Sequence, residues 1–223
     1  MKKLKTVIFD MDGLMFDTET MYYQANQKAA DELGLPFTYE YYAKYIGISD
    51  EEFFASMYRD FKDDQKVDTF IKNSQTYLFQ QIETAGILVK PGLVELLEFL
   101  HERGIGKAVA SSSIGSMVQM CLEKADVTHY FDEIVSGDQV KFAKPNPEIF
   151  EKAWSLFEGE KSETIILEDS LNGIRAAFDA GIEVVMVPDL FEPNEEAKEK
   201  TVSIQKDLIE VKNFLQQNWS LDN

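Results

Sequence analysis

Asp10 and Asp12 stand one residue apart at the end of an apolar run, in VIFDMDG (residues 7–13). Two carboxylates at the tip of one buried strand repel each other unless a cation joins them. A second acidic pair, Glu168 and Asp169, ends the apolar run TIIL (residues 164–167). A hard divalent ion that takes oxygen ligands would relieve both pairs, and Mg2+ does so while keeping waters and leaving room for a phosphate. The expected metal residues are therefore Asp10, Asp12, Glu168 and Asp169. On its own, Asp169 reads as a cap for the helix that starts at Ser170; beside Asp10 and Asp12, ligation is the preferred reading. Gly13 permits the sharp backbone exit that follows the first pair.

Two further groups suit an anion. Ser111 and Ser112, in AVASSS (residues 108–113), put a hydroxyl and backbone amides at a strand-to-helix junction, where unpaired N–H groups and the helix dipole attract phosphate. Lys144, in KFAKPNPEIF (residues 141–150), precedes Pro145, which biases it to an extended conformation and makes it less free than most lysines. It is the candidate to pair with both Asp10 and a phosphate, whereas Lys141 reads as solvated.

These residues need a scaffold that brings strand ends together. Apolar runs recur at Thr6–Phe9, Lys107–Ala110, Glu133–Val135, Thr164–Leu167 and Glu183–Val187, mostly without polar alternation. Such runs mark strands buried on both faces, as in a parallel sheet covered by helices. Helical patterns lie between them, at residues 92–102, 116–124, 147–157 and 170–180, with a last one at 206–217. The predicted fold is α/β, a doubly wound parallel-sheet, Rossmann-like core. Residues 16–86 differ: they are aromatic-rich and helically periodic, with no convincing strand. They read as an inserted helical bundle standing over the strand ends, with residues 1–15 and 87–223 as the core. The connections at Gly13–Thr18 and Gly86–Pro91 are the expected hinges, and Asp17 and Glu19 the expected caps of the first inserted helix.

The chain has 223 residues, 44% of them hydrophobic, enough for a proper core, and a formal net charge of −18. That charge disfavours nucleic acid and anionic membranes as partners. The single cysteine, Cys121, has no partner within the chain for a disulfide and reads as a packed thiol. With neither a signal peptide nor a bilayer-spanning run, the expectation is a soluble, cytoplasmic protein, by default a monomer.

In this order, DxDG (Asp10 to Gly13), the Ser111 strand end, Lys144-Pro145 and Glu168-Asp169 make a specific set. The chain resembles the haloacid dehalogenase superfamily, and within it the helical-cap subfamily of β-phosphoglucomutase and the sugar-phosphate phosphatases. The likeness implies that Asp10 attacks phosphorus and carries it as an aspartyl phosphate, while Asp12 serves as general acid and then base. It implies that Ser111 and the Ser112 amide hold phosphoryl oxygens and that Lys144 offsets developing charge. Mg2+ would be held by Asp10, the Asp12 carbonyl and Asp169, with Glu168 adjacent or acting through water. Members that displace halide generally lack an acid at the Asp12 position, so phosphate-ester chemistry is expected. The loop Tyr45 to Phe53 resembles the mutase's substrate loop, but the mutase's lysine and arginine correspond to Ile46 and Asp50, and its cap histidine to Tyr22. Tyr22, Gly47 and Asp50 are the expected substrate contacts. The resulting expectation is a Mg2+-dependent phosphatase acting on a small phosphorylated metabolite, a sugar or nucleoside phosphate. The alternatives are a mutase and, more remotely, a non-catalytic binder of a phosphorylated ligand.

Overall fold

The computed structural model describes residues 2–45 and 50–221. Among them the strands are β1 (Lys2–Lys3), β2 (Thr6–Phe9), β3 (Gly106–Ser111), β4 (Glu133–Ser136), β5 (Thr164–Glu168), β6 (Glu183–Met186), β7 (Ser203–Ile204) and β8 (Trp219–Ser220). The helices are α1 (Glu19–Leu33), α2 (Tyr39–Tyr42), α3 (Asp50–Phe61), α4 (Asp64–Ala85), α5 (Leu93–His101), α6 (Gly115–Lys124), α7 (Glu148–Ser155), α8 (Leu171–Asp179), α9 (Glu195–Lys200) and α10 (Leu208–Asn218). None of these helices is long and apolar enough to cross a membrane.

Six strands form one parallel sheet in the order β4-β3-β2-β5-β6-β7, and β1 pairs with β8 apart from it. Successive residues of a strand point to opposite faces, and here both faces are covered. Val7 and Phe9 of β2 join one buried cluster with Leu96 of α5, Leu122 of α6 and Leu215 of α10. Ile8, between them, joins the other with Phe150 of α7 and Ile174 of α8. That two-sided burial is why the strands read as unbroken apolar runs. Ala108 and Ala110 of β3 are small on the face where α7 packs.

Chain order runs outward from β2 through β3 to β4, then returns to its other side with β5. This reversal opens a crevice at the C-terminal ends of β2 and β5, the place where such sheets bind ligands.

Helices α1 to α4 fill the stretch between β2 and α5, and carry their own buried cluster of Ala29, Ala30, Phe37, Tyr42, Phe53, Met57, Val67 and Phe70. Small Ala29 and Ala30 on α1 leave room for Val67 and Phe70 on α4. The two chain crossings into and out of this stretch run side by side, with Asp17 N donating to Leu88 O at 2.9 Å and Lys90 N to Met15 O at 2.9 Å.

The expected strands all form, each within two residues of its predicted bounds. The short β7 and the β1–β8 pair are additions, because two-residue strands leave no periodic trace. One expectation is corrected: Asp17 and Glu19 do not cap α1. The N-cap position is Thr18, which makes no side-chain capping bond, and the Glu19 carboxylate instead accepts a hydrogen bond from the Tyr42 hydroxyl at 2.8 Å.

Candidate active site

Asp10 continues β2 by one residue, its N–H donating to Leu167 O at 3.0 Å, so the backbone itself aims its carboxylate into the crevice. At Gly13 the chain turns with φ +80°, and a Cβ there would lie 2.4 Å from Asp169 Oδ2. Only glycine serves both demands.

Asp12 is turned toward the end of β3. Its Oδ2 accepts from Ser113 Oγ at 2.9 Å and Ser111 Oγ at 3.2 Å, and Ser111 Oγ in turn accepts from Ser113 N at 3.0 Å. Tyr22 of α1 reaches down to the same group, its hydroxyl 3.2 Å from Ser113 Oγ. The Thr18 hydroxyl also stands beside Asp12, but no hydrogen bond closes between them: Asp12 Oδ1 and Thr18 Oγ1 are both buried without a partner.

Lys144, buried and joined to Pro145 by a cis peptide, donates to Asp10 Oδ1 at 2.5 Å and Glu168 Oε1 at 2.8 Å. The second oxygen of Glu168 accepts from Ser170 N at 2.7 Å and Ser170 Oγ at 3.0 Å. Ser170, not Asp169, is the N-cap of α8, its hydroxyl accepting from Gly173 N at 3.1 Å. Asp169 is thus spared the capping role, and ligand oxygens of Asp10, Glu168 and Asp169 lie within 4.8 Å of one another.

The charge balance here is lopsided: four carboxylates (Asp10, Asp12, Glu168, Asp169) surround one ammonium. Desolvation holds the Asp10 and Asp169 carboxyls well above the usual carboxylate range; Lys144 works against this at both, and Glu168 adds to it. Desolvation also raises Asp12; the nearby Thr18 hydroxyl, although it closes no hydrogen bond, and the hydrogen bonds from Ser113 and Ser111 take back part of the rise. For Lys144, burial disfavours the ammonium, but Asp10 and Glu168 together outweigh it and leave its pKa above the ordinary value. A cluster of hard oxygen donors carrying more negative charge than its lysine can match fits a divalent cation. Asp10 and Asp169 are the better donors, because both Glu168 oxygens are already engaged.

The sequence matches the haloacid dehalogenase-like hydrolase family over residues 7–187. The chain belongs to that family. It is an enzyme of this hydrolase type, and its relatives agree. It is 31% identical over 183 residues to a phosphorylated carbohydrates phosphatase of Thermotoga maritima, spanning 81% of this chain and 83% of that one. It is 30% identical over 192 residues to a mitochondrial (DL)-glycerol-3-phosphatase of Arabidopsis thaliana, spanning 82% of this chain and 63% of that one. Among solved structures, a Thermotoga maritima protein assigned as a β-phosphoglucomutase superposes with TM-score 0.81 at 28% identity, covering 96% of this chain and all of that one.

Of the residues the haloacid dehalogenase-like pattern picks out, Asp10, Asp12, Ser112, Lys144, Glu168, Asp169 and Tyr22 line one cleft between the strand ends and α1 to α3. Ser111 lies behind it, fully buried, with its hydroxyl on Asp12 rather than in the open space. Gly47 and the side chain of Asp50 are outside the described residues. The cleft also takes in Ser113, Ser170, Glu19 and Asn26, which the motifs do not single out. Ser113 carried a signal, since it is the third of three serines at an anion-binding junction; its bond to Asp12 depends on a backbone turn that spacing does not reveal.

Proposed function

We propose that this enzyme is a Mg2+-dependent phosphatase that hydrolyses small phosphorylated metabolites through an aspartyl phosphate on Asp10, with α1 to α4 (residues 16–86) as a cap over a core of residues 1–15 and 87–223. The observation that carries the reading is the meeting of Asp10, Asp12, Lys144 and Asp169 around one cleft at the sheet's reversal point.

The free oxygen of Asp10 attacks phosphorus while the bond to the leaving oxygen breaks. Asp12 donates its proton to that oxygen; desolvation, which raises its pKa, favours the protonated form this step needs. The hydroxyls of Ser111 and Ser113 fix its orientation. In the second step, water gives a proton to Asp12 as its oxygen attacks phosphorus, releasing inorganic phosphate and restoring the Asp10 carboxylate. Lys144 holds Asp10 in line and offsets charge on the phosphoryl oxygens, with the Ser112 amide as a further donor. When bound by Asp10, Asp169 and the Asp12 carbonyl, Mg2+ would neutralise the acids and polarise the phosphoryl group.

Hydrolysis is favoured over mutase chemistry by the lack of a second cationic side chain among the described residues that line the cleft. Lys144 is the only cation lining the cleft among the described residues, and residues 45–58 of the cap contain neither lysine nor arginine. A bisphosphate would set its second phosphate beside Glu19 and aromatic side chains, with no cation among the described residues there to hold it.

A panel of phosphorylated metabolites assayed for phosphate release tests this, with Mg2+, with chelator, and with Asp10→Asn. Release that needs Mg2+ and disappears in the variant is expected. Efficient isomerisation of glucose 1-phosphate with little phosphate released would overturn it.

A further inference from the structure

The cleft does not end at the carboxylates. Tyr22, Asn26 and Phe53 line it, and the same three residues line a second, smaller cavity within the helical segment, walled by Phe54, Leu78 and Gln75. Asn26 therefore stands where two spaces meet.

Its chemistry there is unusual. Asn26 is 5% exposed; no hydrogen bond of its side-chain amide forms among the described residues, and the little surface it keeps opens on these spaces. Neighbouring polar groups are engaged: Tyr22 meets Ser113, and Ser74 Oγ donates to Ile71 O at 3.0 Å. A buried amide has two donors and an acceptor to satisfy, and folded proteins leave such groups unmet only where water or a ligand completes them. An apolar side chain would fill position 26 against Phe53 and Leu78 at less cost.

The surroundings define the ligand. Glu19, its carboxylate held by the Tyr42 hydroxyl at 2.8 Å, lines the same side of the cleft as the aromatic residues Tyr42, Tyr45 and Phe53. An amide, a carboxylate and aromatic faces suit hydroxyl groups and a C–H surface, and they repel a second negative charge.

Building on the phosphatase reading, we propose that Asn26 determines specificity for the leaving group, and that this group is a neutral, hydroxyl-bearing sugar ring. Asn26 and Glu19 take its hydroxyls, and its C–H face meets Phe53. A free sugar phosphate and a nucleoside monophosphate both present this chemistry.

The test compares wild type and Asn26→Leu, with Mg2+, on ribose 5-phosphate, uridine 5′-monophosphate, acetyl phosphate and phosphoglycolate, and records thermal melting without substrate. Asn26→Leu is expected to lower kcat/KM on the ring esters about 10–100-fold more than on acetyl phosphate, chiefly through KM. It should melt close to the wild-type temperature, because the amide makes no hydrogen bond among the described residues that the substitution would break. A selective loss on ribose 5-phosphate identifies the free sugar, and one on the uridine ester the nucleoside. Equal losses on all esters, or a wild-type preference for phosphoglycolate, overturn the proposal. If wild type releases phosphate from none of them, the phosphatase reading itself has failed, and that outcome is distinct from an Asn26→Leu variant without selectivity.

Discussion

Replacing Lys144 with methionine keeps the length and apolar stem of the side chain and deletes the site's ammonium. In the native chain that ammonium lies 2.5 Å from Asp10 Oδ1 and 2.8 Å from Glu168 Oε1, with 6% of the side chain exposed. Each charge-assisted hydrogen bond contributes about 1.5–3 kcal/mol, so the two together set an upper limit of about 3–6 kcal/mol. Removing one partner from a buried ion pair costs about 3–5 kcal/mol, which agrees. The loss depends on pH, because a carboxylate without a partner takes up a proton rather than stay charged in a buried place. Lys144 is what lowers Asp10 against the stronger pull of desolvation, so Asp10 rises further in the variant. An acid with a raised folded-state pKa penalises the folded state fully above that pKa, and not at all below its unfolded value near 3.8. Urea unfolding in chelator should therefore show a loss of about 3–5 kcal/mol near pH 8, reduced by half or more near pH 5. With Mg2+ present, kcat should fall about 100- to 1000-fold, the usual effect of losing one donor to developing charge. A stability loss below about 1 kcal/mol, the range of exposed pairs, or one equal at both pH values, would refute the charge-compensation argument.

Two other outcomes follow from the same geometry. Binding of Mg2+ requires ionised carboxylates, and Asp10 and Asp169 are held above their ordinary range without it, so binding should release protons and the Mg2+-induced rise in Tm should grow as pH rises. Calorimetric titration in two buffers of different ionisation enthalpy measures this, and a titration without proton release speaks against a shared acidic site. Gly173→Ala reverses a normal preference: alanine in a helix interior is worth about 0.8–1 kcal/mol over glycine, yet a Cβ here would sit 1.7 Å from Glu168 Oε1. Displacing Glu168 should give a net loss of about 1–3 kcal/mol by denaturant unfolding, and a gain would show that Glu168 is not held as described.

Some of this was legible in the sequence for a definite reason. The core strands are covered on both faces, so Val7, Ile8 and Phe9 are all apolar although they point alternately into different layers. Glu168, Asp169 and the aspartates stand out because they end such runs in pairs, where like charges need a counter-ion, and Lys144 because Pro145 restricts it. What stayed hidden depends on rotation and turn geometry. Spacing places Ser111 at a strand end but not its hydroxyl on Asp12, and nothing in a two-residue edge such as β7 distinguishes it from a loop.

Asn26 is the instructive case, because its signal was present. The buried residues of α1 are Met21, Ala25, Asn26, Ala29 and Ala30, a stripe one helical turn apart, and position 26 falls inside it. Among apolar and small neighbours, a polar residue there contradicts the pattern that drives the helix onto α4. Such contradictions are expected where function overrides packing. The crowding of tyrosine and glutamine around it, in MYYQANQKAA (residues 21–30), makes the polar residue look ordinary until burial is known. The inner stripe of a helix that faces a cleft is therefore the place to look for the groups that choose the substrate, since an amide kept there at a cost to packing needs a reason outside the fold.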